Sequence, residues 1–216
     1  MATTIVHLLR HGQVENPSGV LYGRLPDFHL SEIGQQMAQR MGEYTADFDL
    51  VHLRCSPLER AQETMAPIKA HHQLPVTTDD RVIEAGNKLE GRVFSAKASS
   101  FTDPKVWWHL RNPLRPSWGE PYTEIVARMR AAITDAAAEA EGHEALIVSH
   151  QLPIWMARRS AEGRRLVHDP RKRECTLASL TSFTVIDGHV ASVSYVEPAN
   201  DLIPVKTSSK KFVAGA

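Results

Sequence analysis

Two short apolar runs, the Ile5, Val6, Leu8 and Leu9 stretch and the ALIV stretch of 145–148, each give way almost at once to a histidine, in LLRHG and IVSH. Runs this short and this apolar have the composition of strands buried on both faces, which is how strands of a parallel sheet read. Segments of helical spacing lie between them. Ser31 reads as an N-cap ahead of Ile33, Met37 and Met41, which predicts a helix to about residue 46. A second helix is expected over 58–72, and a third over 122–141 with Ile125, Met129, Ala132, Ile133 and Ala136 on one stripe. Residues 49–55 and 74–78 read as further short strands, 153–160 as the start of another helix, and Asp187-Gly188 as the turn of a hairpin joining strands at 176–186 and 189–196. Strands alternating with helices predict an α/β fold: a three-layer sandwich with a mostly parallel central sheet and helices on both faces.

The 216 residues suit one domain, expected over 1–197, with no internal repeat or linker. Regularity fails over about 92–121, where three tryptophans, several bases and four prolines mark a lid insertion. Residues 198–216 read as a poorly ordered tail. Lys plus Arg equals Asp plus Glu, 25 against 25, so no overall field favours nucleic acid or an anionic membrane, and recognition of an anion has to be local. Two cysteines, Cys55 and Cys175, make no disulfide framework and show no metal-ligand spacing, although a single bridge between them stays open. With no signal segment and no long apolar run, a soluble cytoplasmic protein is the expectation.

Strand ends carry the chemistry, because open α/β sheets bind ligands where their strands stop. Arg10 brings a permanent forked cation, His11 a nucleophile or base usable at neutral pH, and Gly12 a backbone free to turn. Arg60, in CSPLERAQET, falls in the first turn of a helix, where an anion is already favoured. His150 closes the second buried strand. Two arginines and two histidines at one sheet edge suit a tetrahedral phosphate. One histidine can then take the phosphoryl group while the other steadies charge, and a carboxyl group must protonate the leaving alcohol. Glu84 is the candidate, ahead of Asp80 and Glu90. Tyr22 and Arg24, in a Gly- and Pro-rich loop over 17–28, can line the site. In the lid, Trp107, Trp108 and Trp118 suit an apolar leaving group, whereas Lys105, Arg111 and Arg115 suit a second anionic group.

Three of these segments, LLRHGQVEN, CSPLERAQET and IVSHQ, together resemble the histidine phosphatase superfamily, also called phosphoglycerate mutase-like proteins. Their order and spacing fit, and SWGEPYTEIVARM is similar to the helix that follows that family's lid. The resemblance implies that His11 accepts the phosphoryl group, that Arg10, Arg60 and His150 hold it, that Glu84 donates the proton, and that Asn16 and Gln151 help to bind phosphate. Cys55 stands where the family commonly has serine and Gln151 where glycine is frequent. The segment after Glu84 is shorter than usual and lacks an aromatic residue. The lid carries little of the glycolytic mutases' substrate-binding stretch, which favours hydrolysis.

The expectation is therefore a phosphomonoester phosphatase that needs neither metal nor cofactor and acts on a small phosphorylated metabolite. No carboxylates accompany His11 and His150 at ligand spacing, and the arginines would repel a cation. A phosphomutase, or a module that binds a phosphorylated metabolite without turning it over, are the alternatives. His7 should point away from the site by strand alternation. Arg158, Arg159, Arg164, Arg165, Arg171, Lys172 and Arg173 read as a solvated basic face, with a surface for an anionic partner or a substrate funnel as the alternatives. The strand around Phe183 is a possible sheet edge for a homodimer.

Overall fold

The computed structural model describes residues 2–93 and 119–203; the predicted lid residues Trp107, Trp108 and Arg111 lie outside them, as does 204–216. The strands are β1 (Thr3–Arg10), β2 (Leu50–Cys55), β3 (Val76–Thr78), β4 (Glu144–Ser149), β5 (Leu180–Ile186) and β6 (His189–Val196), forming one sheet in the order β3-β2-β4-β1-β5-β6. The first four are mutually parallel, while β5 runs antiparallel to β1 and β6 antiparallel to β5. The helices are α1 (Glu32–Tyr44), α2 (Glu59–His72), α3 (Tyr122–Glu139) and α4 (Gln151–Ala161).

Strand alternation assigns the two cores. Val6, Leu8, Ala145 and Ile147 face Ile125, Met129, Ile133 and Trp155 of α3 and α4. Leu9, Leu53, Leu146 and Val148 face Met37, Met41, Met65 and Ile68 of α1 and α2. Each buried Val, Leu, Ile or Met side chain among them contributes about 1.5–3 kcal/mol relative to exposure. His7 is buried on the second face. Its Nδ1 meets Ser182 Oγ at 2.7 Å and its Nε2 meets Glu144 Oε2 at 3.2 Å, so it ties three strands together away from the sheet end.

Several boundaries differ from the sequence expectation for local reasons. Helix α4 starts at Gln151, ahead of Pro153, because His150 is extended (φ −128°, ψ 169°) as its N-cap and a proline in the first turn forfeits no helical bond. Strand β5 starts at Leu180 rather than 176, after Ala178 takes a left-handed φ of 52°. The hairpin turn is as expected, with Asp187 and Gly188 both at positive φ (50° and 77°), the geometry that matches strand twist. Phe183 does not lie at an edge: β5 sits between β1 and β6, Phe183 is buried, and the edge is β6, with Val190 and Val196 exposed. The start of the expected tail is also part of the folded body. Ala199 is buried, Asn200–Leu202 make a 3-10 turn, and Arg40 Nη1 lies 3.1 Å from Asp201 Oδ1.

Candidate active site

Register brings the predicted groups together. Arg10 pairs with Ser149 and Cys55 with Val148, so His11, Ser56 and His150 leave three neighbouring strand ends side by side. The His11 amide bonds the Ser149 carbonyl (3.2 Å) and the Ser56 amide bonds the Val148 carbonyl (3.0 Å). The two imidazoles, both buried, lie with ring centroids 5.1 Å apart and planes inclined by 58°. Two helices, α2 and α4, begin here, and their N-termini favour negative charge.

His11 has a fixed tautomer. Its Nδ1 lies 2.8 Å from the Gly12 carbonyl, which can only accept, so Nδ1 carries the proton and Nε2 keeps its lone pair. Burial, then the charges of Arg60 and Arg10, hold its pKa well below the ordinary imidazole value. The turn that aims the ring is held from two sides. Gly12 N–H donates to Thr64 Oγ1 (3.1 Å), which itself donates to the Arg60 carbonyl (2.7 Å). A Cβ on Gly12 would fall 2.6 Å from the Gly34 carbonyl oxygen of α1.

Both arginines are buried, and each spends only part of its fork on the protein. Arg10 Nη1 donates to the Cys175 carbonyl (2.6 Å), and Arg60 Nη2 to the Gly23 carbonyl (2.5 Å). The Arg60 guanidinium lies over the Tyr22 ring, 4.7 Å from its centroid. Arg10 Nε and Nη2, Arg60 Nε and Nη1, and His150 Nδ1 find no hydrogen-bond partner among the described residues. Neither arginine has a carboxylate at ion-pair distance there. Buried charge left without a partner is costly, and donors clustered this way suit a multiply charged anion. His150 Nε2 lies 2.7 Å from Ser56 Oγ. Burial first, then the neighbouring His11, Arg60 and Arg10, push the His150 pKa well below its ordinary value.

Glu84 sits on a tightly pinned loop. Arg24 Nε donates to its carbonyl (2.6 Å), Arg128 Nη1 to the carbonyls of Arg81 (2.6 Å) and Ile83 (2.8 Å), and Glu120 joins the two, accepting from Arg24 Nη2 and Arg128 Nε. Upstream, Arg54 and Arg81 clamp Asp79; burial alone would raise its pKa, but their hydrogen bonds prevail and take it down to about 2. The Glu84 carboxylate accepts from the Ala85 amide (2.7 Å). Burial raises its pKa against the opposing pull of that amide, Arg60, Arg10 and Arg173.

Of the remaining predicted residues, Tyr22 is buried against Arg60 and stacked on Phe28, at the pocket wall. Gln151, the first residue of α4, lies beside Arg10: its Nε2 is 3.4 Å from the same Cys175 carbonyl. Arg24 commits one donor to the Glu84 carbonyl and another to the Glu120 carboxylate. Asn16 closes on its own loop, Nδ2 donating to the Val20 carbonyl (2.9 Å) and Oδ1 accepting the Val20 amide (3.0 Å). Cys55 and Cys175 are both buried free thiols, and burial pushes Cys175 up to about 11.

Three participants, Ser56, Thr64 and Arg173, are not among the site residues expected from the sequence, which puts Arg173 on a solvated basic face. Thr64 lies four residues after Arg60 on α2, a spacing that puts both on one helix face, whereas Ser56 lies ahead of the helix in the turn that leaves β2. Arg173 was hidden in a run of bases. Three of the other bases in that run make ion pairs, Arg158 with Glu162 and Glu174, Arg164 with Glu162, and Arg171 with Asp169, while Arg159 donates to the Arg165 carbonyl. Arg173 instead turns inward, Nη1 donating to Gln151 Oε1 (3.1 Å) and Nε to His168 Nε2 (2.9 Å). A cavity of about 630 Å³ between α3, α4 and the β5–β6 hairpin lies at the other end of β1, lined by Thr4, Ile133, Ala137, Ser160 and Val190, and does not reach this cluster.

Among the described residues no three His, Cys, Asp or Glu side chains gather as a metal site, and no helix is long and apolar enough to cross a membrane. The chain is 51% identical over 196 residues to the Mycobacterium tuberculosis protein Rv0525, covering 91% of this chain and 97% of that one. It is 29% identical over 155 residues to a 2,3-bisphosphoglycerate-dependent phosphoglycerate mutase of Thermoplasma acidophilum, covering 71% and 74%. Its fold matches that of Bacillus stearothermophilus YhfR with a TM-score of 0.74 at 26% identity, over 87% of this chain and 95% of that one. The sequence model of branch 1 of the histidine phosphatase superfamily matches residues 6–198, and the chain belongs to that superfamily.

Proposed function

We propose that the protein is a phosphomonoester phosphatase working through a phosphohistidine at His11. The superfamily match and the similarity to a phosphoglycerate mutase support a phosphatase or mutase activity, and in this reading the phosphoryl group passes from an ester to His11. One observation carries the reading: His11 presents an unprotonated Nε2 among five buried donors of Arg10, Arg60 and His150 that have no partner among the described residues.

In this account Arg10 and Arg60 bind the phosphoryl oxygens of a dianionic ester. His11 Nε2 attacks phosphorus, the bond to the ester oxygen breaks, and the Glu84 proton passes to the departing alcohol. Ser56 positions His150: with its hydroxyl donating to Nε2, Nδ1 bears the proton and donates to the phosphoryl group. In the second step water attacks phosphorus, Glu84 takes its proton, and the P–N bond breaks to restore neutral His11. Fixed donors of this kind stabilise the transition state without reorganising.

The test is hydrolysis of p-nitrophenyl phosphate in excess chelator. Wild type turns it over and His11→Ala does not; full activity of that variant would refute the reading. The similarity to the Thermoplasma mutase supports a second reading, phosphomutase, in which the phosphoryl group passes from His11 to a second alcohol. Incubation with 3-phosphoglycerate, with and without bisphosphoglycerate, separates the two: isomerisation outrunning phosphate release would make the protein a mutase.

A further inference from the structure

We propose that Arg173, with Gln151, forms a second anion subsite beside the phosphoryl pocket, so that the preferred ligand carries another negative group, such as a carboxylate, a few atoms from phosphorus. This rests on reading the Arg10–Arg60 cluster as the phosphate site.

The segment between α4 and β5 brings Arg173 to the pocket. Arg173 Nη1 donates to Gln151 Oε1 at 3.1 Å, and Gln151 Nε2 and Arg10 Nη1 share the Cys175 carbonyl, at 3.4 and 2.6 Å. A guanidinium only donates, so the Gln151 amide must turn its oxygen to Arg173 and its NH2 toward Cys175 and the pocket. One N–H of that NH2 meets the carbonyl, and the other is left for a ligand. Among the described residues no carboxylate lies within ion-pair distance of Arg173, a lack it shares with Arg159, Arg165 and Lys172 but not with Arg158, Arg164 and Arg171. Arg165 and Lys172 are exposed and Arg159 donates to the Arg165 carbonyl, whereas Arg173 is partly buried and its fork reaches Gln151 beside Arg10. Its charge nonetheless acts on Glu84 and Tyr122.

Charge balance then decides between a support role and a binding role. A phosphomonoester dianion matches the two charges of Arg10 and Arg60, and Glu84 is neutral while it holds the proton for the leaving group. Arg173 is a third cation in the same field, held beside like charges. A merely structural arginine there would be replaced at less electrostatic cost by a neutral donor. An anionic substituent on the ligand supplies the missing partner, and the planar fork suits a carboxylate or a second phosphate.

Calorimetry with paired phosphonates tests this without turnover. Each ω-phosphonocarboxylate, with two, three or four methylenes, is compared with the alkylphosphonate of the same length. Wild type is expected to bind the carboxylate member of at least one pair roughly tenfold or more tightly. Arg173→Met should bring that ratio to about one, and Arg173→Lys, which keeps the charge and loses the fork, should retain part of it. Equal binding within every pair by wild type, or a ratio unchanged in Arg173→Met, would overturn the subsite while leaving phosphatase activity standing. If neither phosphonates nor inorganic phosphate bind, the phosphate reading falls and takes the subsite with it. Should Arg173→Met fail to fold, the wild-type pairs and Arg173→Lys still decide.

Discussion

A neutral imidazole and a protonated carboxyl have to share one pocket if phosphorus is to be attacked and the alcohol released, and burial promotes both. Desolvation disfavours whichever form is charged, so it lowers His11 and raises Glu84. Arg10 and Arg60 then act in opposite senses: they push His11 further down and restrain the rise of Glu84. For activity the signs follow directly. The usable neutral His11 persists below the ordinary imidazole range, and the usable protonated Glu84 is lost as pH climbs through its raised pKa. Glu84→Gln should therefore cost about 10²–10⁴ in kcat on an alkyl phosphate, whose leaving group needs a proton, and much less on p-nitrophenyl phosphate. It should also remove the alkaline limb of the alkyl phosphate profile. Equal loss on both substrates, with that limb intact, would move the acid role elsewhere. Much of this residue scale could be read from the sequence, since Arg10, His11, Arg60 and His150 stand at strand ends and helix starts. Arg173 could not be, because what sets it apart from Arg171 is the direction of its side chain, and a run of bases does not encode direction.

At the scale of elements, the pocket depends on how closely the end of β1 approaches the first turn of α1. Gly12 and Gly34 face each other there, and a Cβ on Gly34 would fall 2.0 Å from the Gln13 carbonyl oxygen. Backbone on both sides leaves nothing flexible to move aside. Gly12→Ala should destabilise by about 1–3 kcal/mol, as overpacking does. It should also lower kcat/KM more than that loss explains, because the His11–Gly12 turn aims Nε2. Thermal unfolding with steady-state kinetics checks this, and an unchanged Tm with wild-type kcat/KM would contradict it. Helix and strand identities were legible because periodicity and caps such as Ser31, which accepts from the Gly34 amide at 3.1 Å, are local properties. Boundaries were less so. Whether Gln151 or Pro153 opens α4, and whether β5 starts at 176 or Leu180, depends on His150 and Ala178 backbone angles that tertiary contacts impose. That β5 is an inner strand depended on β6 folding back over it, which made Phe183 core rather than edge.

Across the whole molecule, positive and negative residues balance, 25 against 25, yet Arg10, Arg60 and Arg173 are gathered at one sheet end with no carboxylate at ion-pair distance among the described residues. Other arginines held within the fold are closed off by acids, as Arg54 is by Asp79 and Glu139 and Arg128 by Glu120. With the chain's charges balanced overall, the positive field at this sheet end is a local feature and not a property of the whole surface. The topology makes the gathering possible: β4 lies between β2 and β1, so residues about 140 apart in sequence end on adjacent strands, at the edge where open α/β sheets as a class bind ligands. The central claim, that His11 becomes phosphorylated, is tested most directly by mixing the protein with a phosphomonoester, quenching in alkali within a turnover, and reading the His11 peptide by mass spectrometry. The account predicts a phosphoryl group on His11 in wild type, more of it in Glu84→Gln with p-nitrophenyl phosphate because hydrolysis of the intermediate is slowed, and none in His11→Ala. Turnover with no phosphorylated His11 peptide at any quench time would contradict it.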